Sequence, residues 1–124
     1  LPMAATSIGR AYMWGLPPAE RAELLAEHKR RAGQQGDALE QSIQASFAEL
    51  EAKGTCAVLG GYQRGTYGVA LPIRVGSKGI LMGLSCGKAD IELKLQSERE
   101  HIAPALKETA AQLEAALADF DGDL

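Results

Sequence analysis

Thiols and imidazoles, the side chains best suited to nucleophilic or metal chemistry, are few in this sequence: Cys56, Cys86, His28 and His101. The cysteines form no CxxC pattern, and no HxxxH pattern lies near them. The sequence therefore predicts free thiols in a reducing compartment, with no zinc site and no disulfide framework. A nucleophilic thiol needs a base within hydrogen-bonding distance, and neither histidine lies in a recognisable catalytic motif. A small thiol-dependent enzyme that uses Cys86 stays open as an alternative function.

Charge gives little support for phosphate recognition. The formal net charge is −3, which argues against a nucleic-acid-binding surface on this chain. The basic run at 28–31 follows several glutamates at a helix end, a pattern typical of a solvated terminus. The glycine-rich run at 60–65 precedes no helix, so it is interpreted as a turn and not as a phosphate cradle. We expect no cofactor and no bound metal.

Length and composition indicate one compact domain. The chain has 124 residues, of which 46% are hydrophobic and 23% charged, close to globular averages. No apolar run approaches the roughly 20 residues of a membrane span, and no signal peptide is visible, so we expect a cytoplasmic protein without a membrane partner. The sequence begins Leu1-Pro2 without a methionine, and we interpret it as a trimmed piece.

Apolar periodicity predicts four helices. The first covers about 6–15, and the second begins near Pro18. Asp37 with Glu40, in capping-box spacing, predicts the start of the third helix, which ends at Gly54. The same spacing in Ser97 and Glu100 predicts a last helix that runs to about Phe120. The stripe of the third helix consists of Leu39, Ile43, Phe47 and Leu50.

Between the third and last helices the pattern favours three strands, at about 55–62, 66–75 and 79–86, with a hairpin turn at 75–79. In the middle strand Val69, Leu71 and Ile73 share one face, and Gly68, Ala70 and Pro72 share the other. The order α-α-α-β-β-β-α predicts an α+β domain with an antiparallel sheet flanked by helices.

Several stretches, in order, resemble one family. Residues 1–11 (LPMAATSIGRA) resemble the "LPLHATALGRAL" segment of the isocitrate-lyase-regulator (IclR) family, and residues 16–21 (LPPAER) resemble the Leu-Pro-x-x-Glu-Arg helix start that follows it. Residues 65–73 (GTYGVALPI) are similar to its "GVRCIAAPV" strand. Residues 84–87 (LSCG) stand where the family has "SVSG".

The resemblance implies a GAF-like (profilin-like) effector-binding domain of a bacterial transcription regulator, here residues 1–124 and lacking its N-terminal part. A winged helix-turn-helix domain would precede it, so DNA is a partner only through that missing domain. The resemblance also implies a small-molecule effector, no enzymatic activity, and a homodimer or homotetramer. A ligand-free dimerisation domain stays open as a further alternative.

A candidate pocket follows from the same residues. The first amides of the opening helix have no intrahelical acceptor and point outward with the positive end of the helix dipole, where they could receive a carboxylate. Small residues of the middle strand would leave space beside them. Ordinary capping and a helix packed closely over small residues remain the alternatives. The residues predicted to bind the effector are Ser7, Ile8, Gly9, Val58, Gly68, Ala70, Leu84 and Cys86.

Departures from the family pattern bear on the ligand. Val58 lies in a run where family members carry acidic residues, and Gly68 stands where a cysteine is frequent. Leu84 and Cys86 stand where members that bind small acids have two serines. We therefore expect an effector more apolar than a two- or three-carbon acid, such as an aromatic or medium-chain carboxylate, with each buried methylene contributing about 0.8 kcal/mol.

Overall fold

The computed structural model describes residues 3–59, 66–89 and 95–121. Within them the helices are α1 (Ser7–Gly15), α2 (Pro18–Ala32), α3 (Gly36–Lys53) and α4 (Leu95–Ala116). The strands are β1 (Cys56–Leu59), β2 (Thr66–Val75) and β3 (Ile80–Ala89), and short 3-10 turns cover Met3–Ala5 and Gly33–Gln35. The predicted α+β order is confirmed. The predicted turn at 60–65 lies outside the described residues.

The three strands form one antiparallel sheet in the order β1-β2-β3. A tight turn over 76–79 joins β2 to β3 and pairs Val75 with Ile80, and the pairing continues to Thr66 with Ala89. The strand β3 is therefore longer than the predicted 79–86, because the extended β2 offers hydrogen-bonding partners along its whole length. At the other edge, β1 pairs only with the first half of β2.

Two helix starts differ from the capping-box predictions. The helix α3 begins at Gly36 with Gln35 as N-cap and no side-chain cap. The 3-10 turn before it leads directly into the helix, so Asp37 is already helical and instead forms an ion pair with Lys29 at 3.3 Å. The helix α4 begins at Leu95, which places Ser97 inside it, and ends at Ala116 because the chain turns at 117–119. The predicted end of α3 at Gly54 is confirmed, with φ +82° at that glycine.

Helices cover both faces of the sheet. The helix α1 packs on one face, which we call the α1 face, and α2 and α3 pack behind it. The helix α4 packs on the other, which we call the α4 face. Buried side chains between α1, α3 and the sheet form one core cluster: Ala4, Ala11, Met13, Leu25, Ile43, Phe47, Leu50, Cys56 and Ala70. Two smaller clusters join α4 to the sheet through Tyr67, Val69, Leu106, Ile73, Val75 and Ala110.

Candidate functional site

The α1 face brings together most of the predicted effector-binding residues. Val58 pairs with Gly68, and Cys56 with Ala70, so these side-chain positions lie on one side of the sheet. The first turn of α1 lies directly above them: Ser7 Oγ is 2.7 Å from the point where a Cβ on Gly68 would be. Ser7, Val58, Gly68 and Ala70 therefore belong to one region of the molecule.

Leu84 and Cys86 lie on the other face. In the β2–β3 register, Leu84 pairs with Leu71 and Cys86 with Val69, residues that face α4. Leu84 packs in both α4 clusters. Leu84 and Cys86 share one face of β3, as predicted, but this face is opposite to the one that carries Gly68 and Ala70, because alternate residues of a strand point to opposite sides of the sheet.

Ser85 and Gly87 occupy the positions that sequence reasoning gave to Leu84 and Cys86. Ser85 pairs with Ala70, and Gly87 pairs with Gly68, so both lie on the α1 face. The length of the hairpin turn indicates which residues of β3 lie on the α1 face. A four-residue turn that pairs Val75 with Ile80 places even-numbered residues of β2 opposite odd-numbered residues of β3.

The helix α1 packs closely on this face. Besides the contact of Ser7 with Gly68, a Cβ on Gly83 would lie 2.8 Å from Ile8 Cγ1 and 3.0 Å from the Ile8 carbonyl oxygen. The space that Gly68 leaves is thus filled by Ser7 itself, and over Gly68 and Gly83 the alternative of a closely packed helix describes the structure. Any ligand must lie beside this contact and not within it.

Gly9 has a different role from the predicted one. A Cβ at this position would overlap the Met3 carbonyl oxygen, so Gly9 faces the 3-10 turn that precedes α1 and not the sheet. Its amide donates to Thr6 Oγ1 at 3.1 Å, which makes Thr6 the N-cap of α1. The helix itself supplies no acceptor for the two amides before it, those of Ser7 and Ile8.

The α1 face is more open along β3, beyond the contact with Ile8. Among the described residues, the Tyr67 carbonyl at 3.4 Å is the one atom close to a Cβ placed on Gly87, and the side chain of Ser85 is exposed. On the β1 side, Val58 is half-buried. We name Ser7, Ile8, Val58, Ser85 and Gly87 the candidate binding surface. It combines a helix N-terminus with a shallow floor.

A buried cation lies at the same end of α1. Arg10 is 6% exposed, and burial lowers its pKa from the ordinary value, while the nearby Cys56 thiol acts in the opposite direction. Cys56 is itself 1% exposed and donates a hydrogen bond to the Ser7 carbonyl oxygen at 3.5 Å. Positive charge therefore accompanies the helix N-terminus here.

No family model matches the sequence, and no curated protein matches it. Solved structures do. An IclR-family transcriptional regulator from Brucella abortus is 26% identical over 94% of this chain, with a TM-score of 0.83. An IclR homologue from Microbacterium hydrocarbonoxydans, complexed with 4-hydroxybenzoate, is 25% identical over 94%, with a TM-score of 0.69. The chain has the fold of an IclR-type effector domain.

The chain spans 44% and 46% of the length of those two regulators. A third similar structure contains the inducer-binding domain of a transcription factor. It is a double mutant of PobR from Acinetobacter, in complex with 3-hydroxybenzoic acid. It is 18% identical, with a TM-score of 0.65, over 92% of this chain and 66% of that one. The resemblance and the fold class inferred from the sequence are confirmed, and the structural neighbours are transcriptional regulators.

The cysteines and histidines of the described residues do not form a cluster with one another. Cys86 is exposed on β3, while His28 and His101 lie on α2 and α4. No cluster of three metal-binding side chains occurs within residues 3–59, 66–89 and 95–121. In the same residues, no helix combines the length and apolar character that crossing a membrane requires.

Proposed function

We propose that this chain is the effector-binding part of an IclR-type transcription regulator and that it binds a carboxylate with an aromatic or otherwise apolar body. The observation that carries the proposal is the fold, which matches regulators over more than nine-tenths of the chain. Two of the similar proteins hold hydroxybenzoates, and one of these is an isolated inducer-binding domain. The apolar side chain of Val58, in a run where the family pattern is acidic, favours an apolar ligand over a small hydroxy acid.

The proposed binding mode uses the candidate binding surface. The carboxylate accepts hydrogen bonds from the amides of Ser7 and Ile8, at the positive end of the α1 dipole. The body of the ligand lies over Ser85 and Gly87 on β3. Val58 borders the surface on the β1 side, whereas Gly68 and Ala70 lie beneath α1 and do not contact the ligand. Because Ser7 contacts Gly68, the ligand enters from the side of β3 and does not separate the helix from the sheet.

The effector regulates DNA binding through thermodynamic linkage between the two binding equilibria. An effector changes the activity of a regulator only if it binds two conformations with different affinities. A ligand that connects the start of α1 to β3 favours the conformation in which these two elements lie together. In the parent protein, DNA binding belongs to a winged helix-turn-helix domain outside this chain, and assembly as a homodimer or homotetramer carries the change between subunits.

Isothermal titration calorimetry with 4-hydroxybenzoate, octanoate and glyoxylate tests the ligand class. We expect the first two to bind and glyoxylate to bind at least about tenfold more weakly, because it buries little apolar surface. Binding of glyoxylate alone would contradict the apolar ligand.

A matched pair of variants tests the location. Gly87→Leu fills the floor beside α1, and we expect it to weaken binding of the preferred acid by about tenfold or more. Cys86→Leu adds a side chain of the same size one residue away on the opposite face, and it should leave binding unchanged. Equal effects of the two variants would place the ligand elsewhere.

A further inference from the structure

Arg10 holds a buried guanidinium group in α1, one helical turn after Ser7. Its side chain is 6% exposed and donates hydrogen bonds to three neutral oxygens. Nε donates to the Ala4 carbonyl at 2.9 Å, and one terminal nitrogen donates to Ser46 Oγ at 3.0 Å and to the Ser42 carbonyl at 3.3 Å. These contacts connect α1 to α3 and to the turn before α1, and they fix the guanidinium in position.

The neutral acceptors do not neutralise the charge. Within residues 3–59, 66–89 and 95–121, the ion pairs lie on the outer surfaces of α2 and α3, and none of them includes Arg10. Transfer of an ionised group into the protein interior is costly unless an opposite charge compensates it. A buried arginine without a carboxylate partner therefore leaves a net positive field, which is screened less by solvent than the field of a surface arginine would be.

The guanidinium lies close to the start of α1. Arg10 Nε donates to the carbonyl of Ala4, in the turn before α1, and the Cys56 thiol donates to the Ser7 carbonyl. The guanidinium is therefore held at the N-terminal end of α1, the end that carries the amides of Ser7 and Ile8. The guanidinium charge and the positive end of the helix dipole have the same sign, so their effects on an anion at this point add.

We propose that Arg10 determines the charge specificity of the effector site: its buried guanidinium selects an anionic ligand over a neutral one of the same shape at the Ser7 and Ile8 amides. The inference rests on the proposed function. Arg10 acts on the ligand through its field and not by touching it, so it is a positioning residue.

Two ligands of equal shape separate charge from packing. 4-Hydroxybenzoate and 4-hydroxybenzamide differ in the charged group, and their dissociation constants are measured by calorimetry on the 124-residue chain at pH 7. We expect the benzoate to bind the unmodified chain about tenfold or more tightly than the benzamide. In Arg10→Gln this preference should fall to about twofold with the benzamide affinity unchanged, and in Arg10→Lys most of it should remain, because lysine keeps the charge.

Ser46→Ala is the matched control, since it removes one acceptor of the guanidinium and leaves the charge, and the preference should survive in it. A preference unchanged in Arg10→Gln would overturn the inference, and so would an equal loss of both ligands in Arg10→Gln and Arg10→Lys. If Arg10→Gln does not fold by circular dichroism, the unmodified chain still decides: equal affinities for the two ligands overturn the inference while the proposed function stands. An unmodified chain that binds neither ligand overturns the proposed function, and this inference with it.

Discussion

The two faces of the sheet pack against their helices in different ways. On the α4 face, β2 presents Val69, Leu71 and Ile73, and α4 packs against these branched side chains. On the α1 face, Gly68 and Gly83 carry no side chain, and α1 approaches the sheet closely there through the side chain of Ser7 and through Ile8. Packing on the α4 face depends on large apolar side chains that fill the space between helix and sheet. Packing on the α1 face depends on glycines, whose missing side chains allow the helix to approach the sheet.

This difference has a functional consequence. A helix separated from a sheet by large side chains would hold its terminal amides far from any ligand bound on the strands. The close approach of Ser7 and Ile8 places the first amides of α1 immediately beside the sheet, with Ser85 and Gly87 uncovered next to them. On the α4 face, in contrast, apolar side chains such as Val69 and Leu106 lie between the helix and the sheet.

Removal of atoms should be most damaging on the α4 face. Leu106 of α4 is 6% exposed in the cluster with Tyr67 and Val69. We expect Leu106→Ala to lower the free energy of unfolding by about 3 kcal/mol, because a cavity remains where the side chain was. Urea denaturation followed by circular dichroism measures the change. Leu117→Ala, at a position 37% exposed just beyond the same helix, is the control and should cost less than about 1 kcal/mol.

Addition of a single methyl group should be the damaging change on the α1 face. A Cβ on Gly83 meets Ile8 at 2.8 Å, with the Ile8 carbonyl at 3.0 Å, so Gly83→Ala should cost about 2 kcal/mol in the same denaturation experiment. Gly87→Ala is the matched control on the same strand and face, where the nearest described atom is at 3.4 Å. Its effect should be within about 0.5 kcal/mol of zero. Equal costs at the two glycines would contradict the close packing of α1.

The sequence was sufficient for the alternation of β2. Val69, Leu71 and Ile73 were placed together from period-two spacing, and the structure confirms it. Capping boxes were less reliable, because Asp37 and Ser97 match the pattern although the chain is already helical before them. The side chain that caps a helix depends on the path of the chain into the helix, which a four-residue pattern does not encode.

For the candidate site, too, local patterns predicted some features, whereas others depend on the tertiary structure. Ser7 and Gly68 could be selected as helix start and small residue, and they do meet. Which face of β3 joins them depends on the hairpin register, and this register places Ser85 and Gly87, not Leu84 and Cys86, on the side of Gly68. Close packing of α1 over the small residues, and the burial of Arg10, are tertiary facts that no local pattern specifies.

The smallest expected effect concerns the N-cap of α1, the helix that packs on the α1 face. Thr6 Oγ1 accepts the Gly9 amide, so Thr6→Ala should lower the free energy of unfolding by about 1 kcal/mol, whereas Thr6→Ser keeps the hydroxyl and should recover most of it. If α1 were held on the sheet by its contacts with Gly68 and Gly83 alone, the alanine and serine variants would unfold at the same urea concentration. A difference between them instead shows that the position of the Ser7 and Ile8 amides depends on the cap as well as on the glycines beneath them.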